Sequence, residues 1–469
     1  MKILFTHGYF LREDPREQQI MKPYPPLGIL YLSAWLEQNG FINEVFDSTF
    51  SDFETLCRKL EQEPPQVLAV YTNLMTKLNV LRLIRHVRST EALSGTRIVL
   101  GGPEVRNHAE NFLRHGADLI VVGEGEETML DIVRRLQERG AGIRNFELAT
   151  GIDGCITLDD RGELSQSPER RLLRDLDELP APARHQIQLT RYLDAWRSRH
   201  GYSAISVSTM RGCPYTCKWC SRAVYGQTYR RRSPEKVVDE LAQLKQRYDF
   251  DTIWFVDDVF TISHRWLEGF RDALVNRGLD LRFECITRAD RMNETVIRLL
   301  KESGCFRVWI GAESGSQSVI DAMDRRVDVQ QVRTMIRATR AAGMEAGTFL
   351  MLGYPGETEA DIEETIRHLK DSRPDHYTIT LAYPIKGTPL YGETEGSFLH
   401  DPDWAHSTDR DIDFQRTYPR KFYDYAIRRM HNEVAFTRAW VAGGRGIARA
   451  LVFKMKSLAA KGGMLIHRR

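Results

Sequence analysis

The chain has 469 residues, 42% of them hydrophobic and 28% charged, with a formal net charge of +2. That length calls for two or three domains with a large core, and the composition is that of a globular protein of the soluble class. The near balance of charge excludes a general bias towards nucleic acid or anionic membrane, and no apolar run approaches the roughly 18–20 residues of a membrane span.

The first stretch, MKILFTHGYF, reads as a core strand over 2–8 and not as a cleavable leader. Pro25-Pro26-Leu27-Gly28 opens a helical pattern, ILYLSAWLEQNG, that stops at Gly40. NEVFDST (43–49) is a second strand, and DFETLCRKLEQE a helix with Asp52 as N-cap. QVLAVYT (66–72), RIVLGG (97–102) and LIVVGEGEE (119–127) are three further strands, with a long helix to about residue 90 after the first of them. Strands alternating with helices predict a doubly wound parallel sheet over 1–145, Rossmann-like in type. Ligands of such sheets bind at the carboxyl ends of the strands. Here those ends carry Gly101-Gly102-Pro103-Glu104 and Gly123-Glu124-Gly125-Glu126. Gly101, Gly102, Gly123 and Gly125 therefore become candidate ligand contacts, since glycine permits close backbone approach. Ordinary strand-to-helix turns favour glycine for the same reason. The Gly-x-Gly-x-x-Gly of a dinucleotide site is absent.

Residues 146–199 change character. An Asp-Asp-Arg-Gly turn at 159–162 suggests a hairpin, and Pro180 and Pro182 a linker. From 200 to 395, six strand–helix units follow, with strands at 205–210, 252–258, 282–287, 307–313, 346–352 and 376–382. Ser233-Pro234 reads as N-cap and first helical position. Six units are too few for a closed eight-unit barrel, so a partial (β/α)6 barrel is expected, with its chemistry at the strand C-termini.

The loop after the first of these strands, TMRGCPYTCKWCSRAVYG, holds Cys213, Cys217 and Cys220. Three thiolates at C-x3-C-x2-C spacing can share one metal centre. A four-iron cube so held keeps one iron without a protein ligand, an open site that catalysis needs. Structural zinc would want a fourth ligand, and Cys57, Cys155, Cys285, Cys305 and His200 are isolated. Disulfides would imply a secreted chain, whereas seven cysteines with three clustered suit a reducing cytoplasm. Residues 396–469 form a mostly helical tail. After Glu433 it has eight Lys or Arg and no acid, with apolar residues at helical spacing (Ile447, Leu451, Val452, Met455, Leu458). Such a tail either lies on a membrane surface or packs on the barrel with a solvated basic face.

The cysteine spacing, with Trp219 before the last cysteine and Arg211-Gly212 before the first, resembles the radical S-adenosylmethionine (SAM) superfamily. PPLGILYLSAWLEQNGF, LGGPE and DLIVVGEGEET resemble the cobalamin-binding domain of one large branch of it. Within that branch the likeness is to anaerobic magnesium-protoporphyrin IX monomethyl ester cyclase-like and hopanoid-tailoring proteins, and it spans roughly residues 1–395. It implies a [4Fe-4S] cluster on Cys213, Cys217 and Cys220, and cobalamin near Gly101, Gly102, Gly123 and Gly125. No D-x-H-x-x-G motif occurs, so no histidine is expected on cobalt. The resemblance further implies that Glu313, Ser314, Arg288, Trp219 and Gly353 surround SAM. Glu313 would meet the methionine amine or ribose and Arg288 the carboxylate, while G-Y-P-G-E-T (353–358) would shape a turn near the adenosine. The implied reaction is reductive cleavage of SAM to methionine and a 5′-deoxyadenosyl radical, which takes hydrogen from an unactivated carbon. Methyl transfer and cyclisation or oxidative rearrangement both occur in this branch, and no residue separates them. The expected partners are a small or lipophilic substrate and a one-electron donor such as flavodoxin or ferredoxin, with no nucleic acid. The expected location is the cytoplasm, peripheral to the inner membrane face if the tail takes the first of its two readings. Two rivals stand beside this reading. One is a non-catalytic iron–sulfur or corrinoid carrier, against which Glu313 and the G-Y-P-G-E-T turn argue. The other is a transfer-RNA methylthiotransferase relative, which would carry a second cysteine set where this chain has only Cys57 and Cys155.

Overall fold

The structure, a computed structural model, describes residues 1–442 and 446–468. Arg445 and Arg469, two of the tail's basic residues, lie outside them. The chain divides into two compact units. One comprises Met1–Pro214, Ser221–Ile253 and Pro402–Arg410, the other Tyr215–Cys220, Trp254–Asp401 and Asp411–Arg469.

In the first unit, β1 (Ile3–His7), β2 (Glu44–Phe46), β3 (Val67–Tyr71), β4 (Arg97–Gly101) and β5 (Leu119–Val121) pair in parallel. Alternate residues of each strand enter opposite cores. Leu4, Leu68, Val70, Ile98, Leu100 and Ile120 face one, whereas Ile3, Phe5, Val67, Ala69, Val99 and Leu119 face the other. Burial on both faces is why these strands read as continuous apolar runs. The hairpin expected after residue 146 is real, β6 (Cys155–Leu158) with β7 (Leu164–Gln166). Instead of standing apart, it extends the same sheet antiparallel from β5, giving the order β2-β1-β3-β4-β5-β6-β7. The chain winds one way from β1 to β2 and the other way from β3 onwards. The ends of β1 and β3 are therefore the switch point at which a doubly wound sheet takes its ligand. The strand expected to reach residue 127 stops at Val121, because Gly123 turns the chain with φ +84°.

The second sheet contains β8 (Ala204–Val207), β11 (Thr252–Phe255), β12 (Phe283–Thr287), β13 (Cys305–Glu313), β14 (Glu345–Leu352) and β15 (His376–Leu381). They lie side by side in chain order, with β8 and β15 as edges. Sequential order with helices between neighbours is barrel winding, and the free edges leave it open. A short ribbon, β9 (Met210–Arg211) with β10 (Arg230–Arg231), brackets the cysteine loop. Under the strands of the second unit, Phe255, Phe260, Phe270 and Phe283 pack ring to ring, and Trp266 stacks on Phe270. The expected caps form. Asp52 accepts from Thr55 N, and Ser233, followed by Pro234, accepts from Lys236 N. The helices Arg420–Ala442 and Gly446–Ile466 close the chain.

Candidate functional site

The cysteine loop leaves β8 and β9 through Gly212, whose φ is +84°. A Cβ there would stand 2.5 Å from both Oγ1 and the carbonyl oxygen of Thr228, so only glycine fits before Cys213. Cys217 is buried, while Cys213 and Cys220 are half-buried. The stretch around Cys217 is pinned from both sides. Thr216 bonds Asp324, Lys218 N donates to Met323 O (3.1 Å), Leu390 N donates to Lys218 O (3.0 Å), and Lys218 Nζ pairs with Glu393 (2.6 Å). Among the described residues no group of three His, Cys, Asp or Glu is close enough to hold a single metal ion. A cube places each thiolate on a different iron, so its cysteines need not converge as the ligands of one ion do.

The surroundings of Cys217 fit an anionic centre. Arg288 Nη1 and Arg325 Nη1 each lie 3.7 Å from its Sγ. Two guanidinium ions beside one sulfur would offset the negative charge of a thiolate-ligated cluster. Tyr215 covers the Arg288 guanidinium at 3.8 Å from ring centroid to carbon, and Trp219 stands 5.6 Å from that of Arg325. Arg325 was invisible in the sequence, since it meets Cys217 across 108 positions.

Of the other expected SAM contacts, Glu313 and Trp219 lie beside Arg325. Glu313 ends β13 in the left-handed region (φ +64°), a conformation that costs a non-glycine residue about 1–3 kcal/mol and collects at functional sites. Burial raises the pKa of its carboxyl, and Arg325 and then Arg288 pull it back. Arg325 Nη2 is 3.6 Å from Glu313 Oε1, while the same nitrogen donates to Gly311 O at 2.8 Å. Arg325 thus holds the carboxylate only loosely. Arg288 is tied into the protein as well. Its Nε pairs with Asp290 (2.9 Å) and its Nη2 donates to Arg325 O (2.7 Å). Ser314 is buried in a turn, its Oγ 3.2 Å from Thr365 Oγ1 and accepting from Ser316 N (3.1 Å). Gly353 (φ +73°) donates its N–H to Glu357 Oε2 at 2.5 Å. Glu357 is fully buried, its other oxygen has no hydrogen-bond partner, and burial pushes its carboxyl up to about 8. Tyr354 of the same turn packs with Val319, Met323 and Leu390, and Trp219 lies against that cluster. The G-Y-P-G-E-T turn therefore supports the cysteine loop. Asp257, after β11, is buried and Asp258 exposed.

In the first unit the glycines divide by role. Gly102 (φ +108°) would drive a Cβ to 2.4 Å from Thr72 O. Gly101 and Gly123 have room, with nearest atoms at 3.8 and 3.7 Å, whereas a Cβ on Gly125 would meet Leu32 Cδ2 at 3.1 Å, which is helix packing. Thr72 Oγ1 and Glu104 Oε1, beside Gly102, are buried without hydrogen-bond partners. Burial first, and then Asp409, push the Glu104 carboxyl up to about 7, against the pull of Lys77. Unspent polar atoms beside glycines at strand ends fit a large planar ring with amide-bearing edges, which is the chemistry of a corrinoid. His7, at the end of β1, is bonded to Asp47 (3.1 Å) and Ser48 (3.1 Å), a structural role.

The acids between the glycines were not singled out from sequence, and they do something else. Glu124 accepts from Arg211 Nη1 (2.9 Å), Arg230 Nη1 (2.7 Å) and Leu173 N (2.8 Å), while Glu126 accepts from Arg211 Nη2 (2.5 Å). Tyr31 and Tyr225 each approach the Arg211 guanidinium at 5.4 Å. This buried network grips the ribbon just before Cys213.

Comparison with known proteins gives three kinds of likeness. Residues 207–369 match the radical SAM superfamily and residues 19–133 the B12 binding domain. The chain is 28% identical to an uncharacterized methyltransferase of Pyrococcus horikoshii over 78% of each protein. It is 26% identical to the anaerobic magnesium-protoporphyrin IX monomethyl ester cyclase of Cereibacter sphaeroides over 84% of this chain and 63% of that one. In fold it resembles TsrM of Kitasatospora setae, a radical SAM methyltransferase solved with cobalamin and a [4Fe-4S] cluster. The TM-score is 0.68 at 19% identity, covering 84% of this chain and 74% of that one.

Proposed function

Because the chain belongs to the radical SAM superfamily, in the branch that carries a B12-binding domain, we propose that it cleaves SAM reductively and modifies an unactivated carbon of a small, lipophilic metabolite. The product reading we favour is C-methylation. The cyclase relative supports ring closure or oxidative rearrangement as the second reading. When bound, a [4Fe-4S] cluster supplies an electron and an open iron to SAM, and cobalamin supplies a carrier for a methyl group. Cys213, Cys217 and Cys220 would hold three irons. Arg288 and Arg325 donate towards the Cys217 sulfur and stabilise negative charge there. Glu313 would accept the methionine ammonium of SAM, and Trp219, Ser314 and Gly353 would line the rest of that site. Gly101, Gly102 and Gly123 would let the corrinoid approach the strand ends, and Gly125 would shape the adjoining turn. A small one-electron carrier, flavodoxin- or ferredoxin-like, would deliver the electron, and no nucleic acid takes part. The reaction would proceed in the cytoplasm, near the membrane face where a lipophilic substrate resides.

The observation that carries this reading is the double-arginine setting of Cys217, in a barrel loop of a chain that also has a B12-binding domain. The test uses protein purified without oxygen, its cluster reconstituted, with SAM, dithionite and hydroxocobalamin. 5′-Deoxyadenosine should form and should vanish in Cys217→Ala. S-Adenosylhomocysteine as co-product marks methyl transfer, whereas 5′-deoxyadenosine alone during substrate turnover marks cyclisation. No SAM cleavage by protein with a full iron complement would sink the proposal.

A further inference from the structure

The last two helices are built inside out for a free helix pair. They form an antiparallel hairpin: Glu433 accepts from Lys454 (2.7 Å) and Ser457 (2.6 Å), and Tyr425 stacks on His467. The face that the helix Gly446–Ile466 turns inward is made of small residues, Ala450, Ser457, Ala460 and Gly463, with Met464. A Cβ on Gly463 would stand 2.4 Å from the Tyr425 ring, so the packing depends on smallness there. Its large apolar residues point outward. Ile447, Leu451, Met455, Leu458, Leu465 and Ile466 are 44% to 79% exposed. At about 100° per residue they fall within roughly a third of the helix circumference. Arg449 and Lys456 border that stripe on one side, Lys461 and Arg468 on the other. Trp440 and Val441, both exposed, end the preceding helix. Val441 also lines a cleft of about 370 Å³ into which Arg340, Lys370, Arg373 and Arg438 bring positive charge against one acid, Asp375.

We propose that this hairpin is a docking surface for an anionic lipid bilayer, with the apolar stripe of the last helix sunk into the interface and its basic borders at the headgroups. Three observations select this occupant. Arg449, Lys456 and Lys461 stand beside the stripe and the sequence from residue 434 onwards has no acid, so the face complements anionic headgroups and repels a second copy of itself. An apolar arc bordered by cations, with an aromatic residue at its end, is the pattern of a helix lying in the interface plane. No described helix is long and apolar enough to cross a membrane, so the contact is one of surface and not of span. The inference stands apart from the radical chemistry proposed above.

Flotation of the full-length protein tests it. The vesicles are phosphatidylcholine alone, or three parts phosphatidylcholine to one part phosphatidylglycerol. The protein should float with the anionic vesicles at low salt and be released as salt rises. Leu451→Ser/Met455→Ser/Leu458→Ser should weaken binding about a hundredfold or more, and each of Arg449→Gln, Lys456→Gln and Lys461→Gln about fivefold. All six positions are solvent-facing or bordering, and an unchanged thermal unfolding midpoint shows that the variants fold. Absence of flotation at low salt, equal binding to neutral vesicles, or binding that survives the triple serine change would each overturn the proposal. So would a stable dimer that the triple change converts to monomer, for the stripe would then belong to a second copy.

Discussion

Glu124→Ala should be among the most damaging single substitutions outside the cysteine loop. Glu124 is 5% exposed and holds two guanidinium ions, Arg211 and Arg230, themselves largely buried. Burial pushes its carboxyl up, yet Arg230 and Arg211 outweigh burial and hold it below the ordinary carboxylate range. With Glu126 the set is neutral, two acids against two bases. Truncation leaves two buried cations facing one carboxylate, which costs about 3–5 kcal/mol, and orphans the Leu173 N–H, worth about 1–3 kcal/mol. The terms overlap, so about 4 kcal/mol is expected, a thousandfold in the unfolding equilibrium. Glu124→Gln keeps the shape and one acceptor and should lose about half as much. Urea unfolding of the iron-free variants, followed by tryptophan fluorescence, reads the loss as a lower midpoint at constant slope. Because Arg211 lies two residues before Cys213, the alanine variant should also retain less iron after reconstitution. A midpoint within experimental scatter of the parent, with full iron retention, would refute the view that this network holds the loop.

Glu357, kept protonated to about pH 8 in the fold but titrating near 4.5 when exposed, binds more protons folded than unfolded between those values. Stability should therefore fall as pH rises from 4.5 to 8, by up to roughly 5 kcal/mol at about 1.4 kcal/mol per tenfold. Thermal unfolding at several pH values should show that slope, and Glu357→Gln should flatten it. Gly102→Ala places a methyl 2.4 Å from a backbone oxygen at φ +108°, so the end of β4 must shift. Corrinoid retained through gel filtration should drop severalfold while iron content stays at the parent level.

The local chemistry was legible in the sequence. The five parallel strands, the open barrel, the C-x3-C-x2-C loop and the glycines at strand ends all depend on neighbours within a few positions. Propensity, periodicity and spacing act at that range. The structure alone decided which side chains meet across long separations. Arg325 reaches Cys217 from 108 positions away, and Glu124 grips Arg211 across 87. A buried charge chooses its partner by the dry space the fold creates, and no pattern along the chain records that space. The hairpin β6–β7 could be read from its turn, but such short strands reveal nothing of the sheet edge they join. The last helix makes the same point from the other side. Its apolar spacing was plain in the sequence, but two faces of it could have packed inward. The close approach demanded by Gly463 against Tyr425 decided that the small residues are buried and the large ones meet the surroundings.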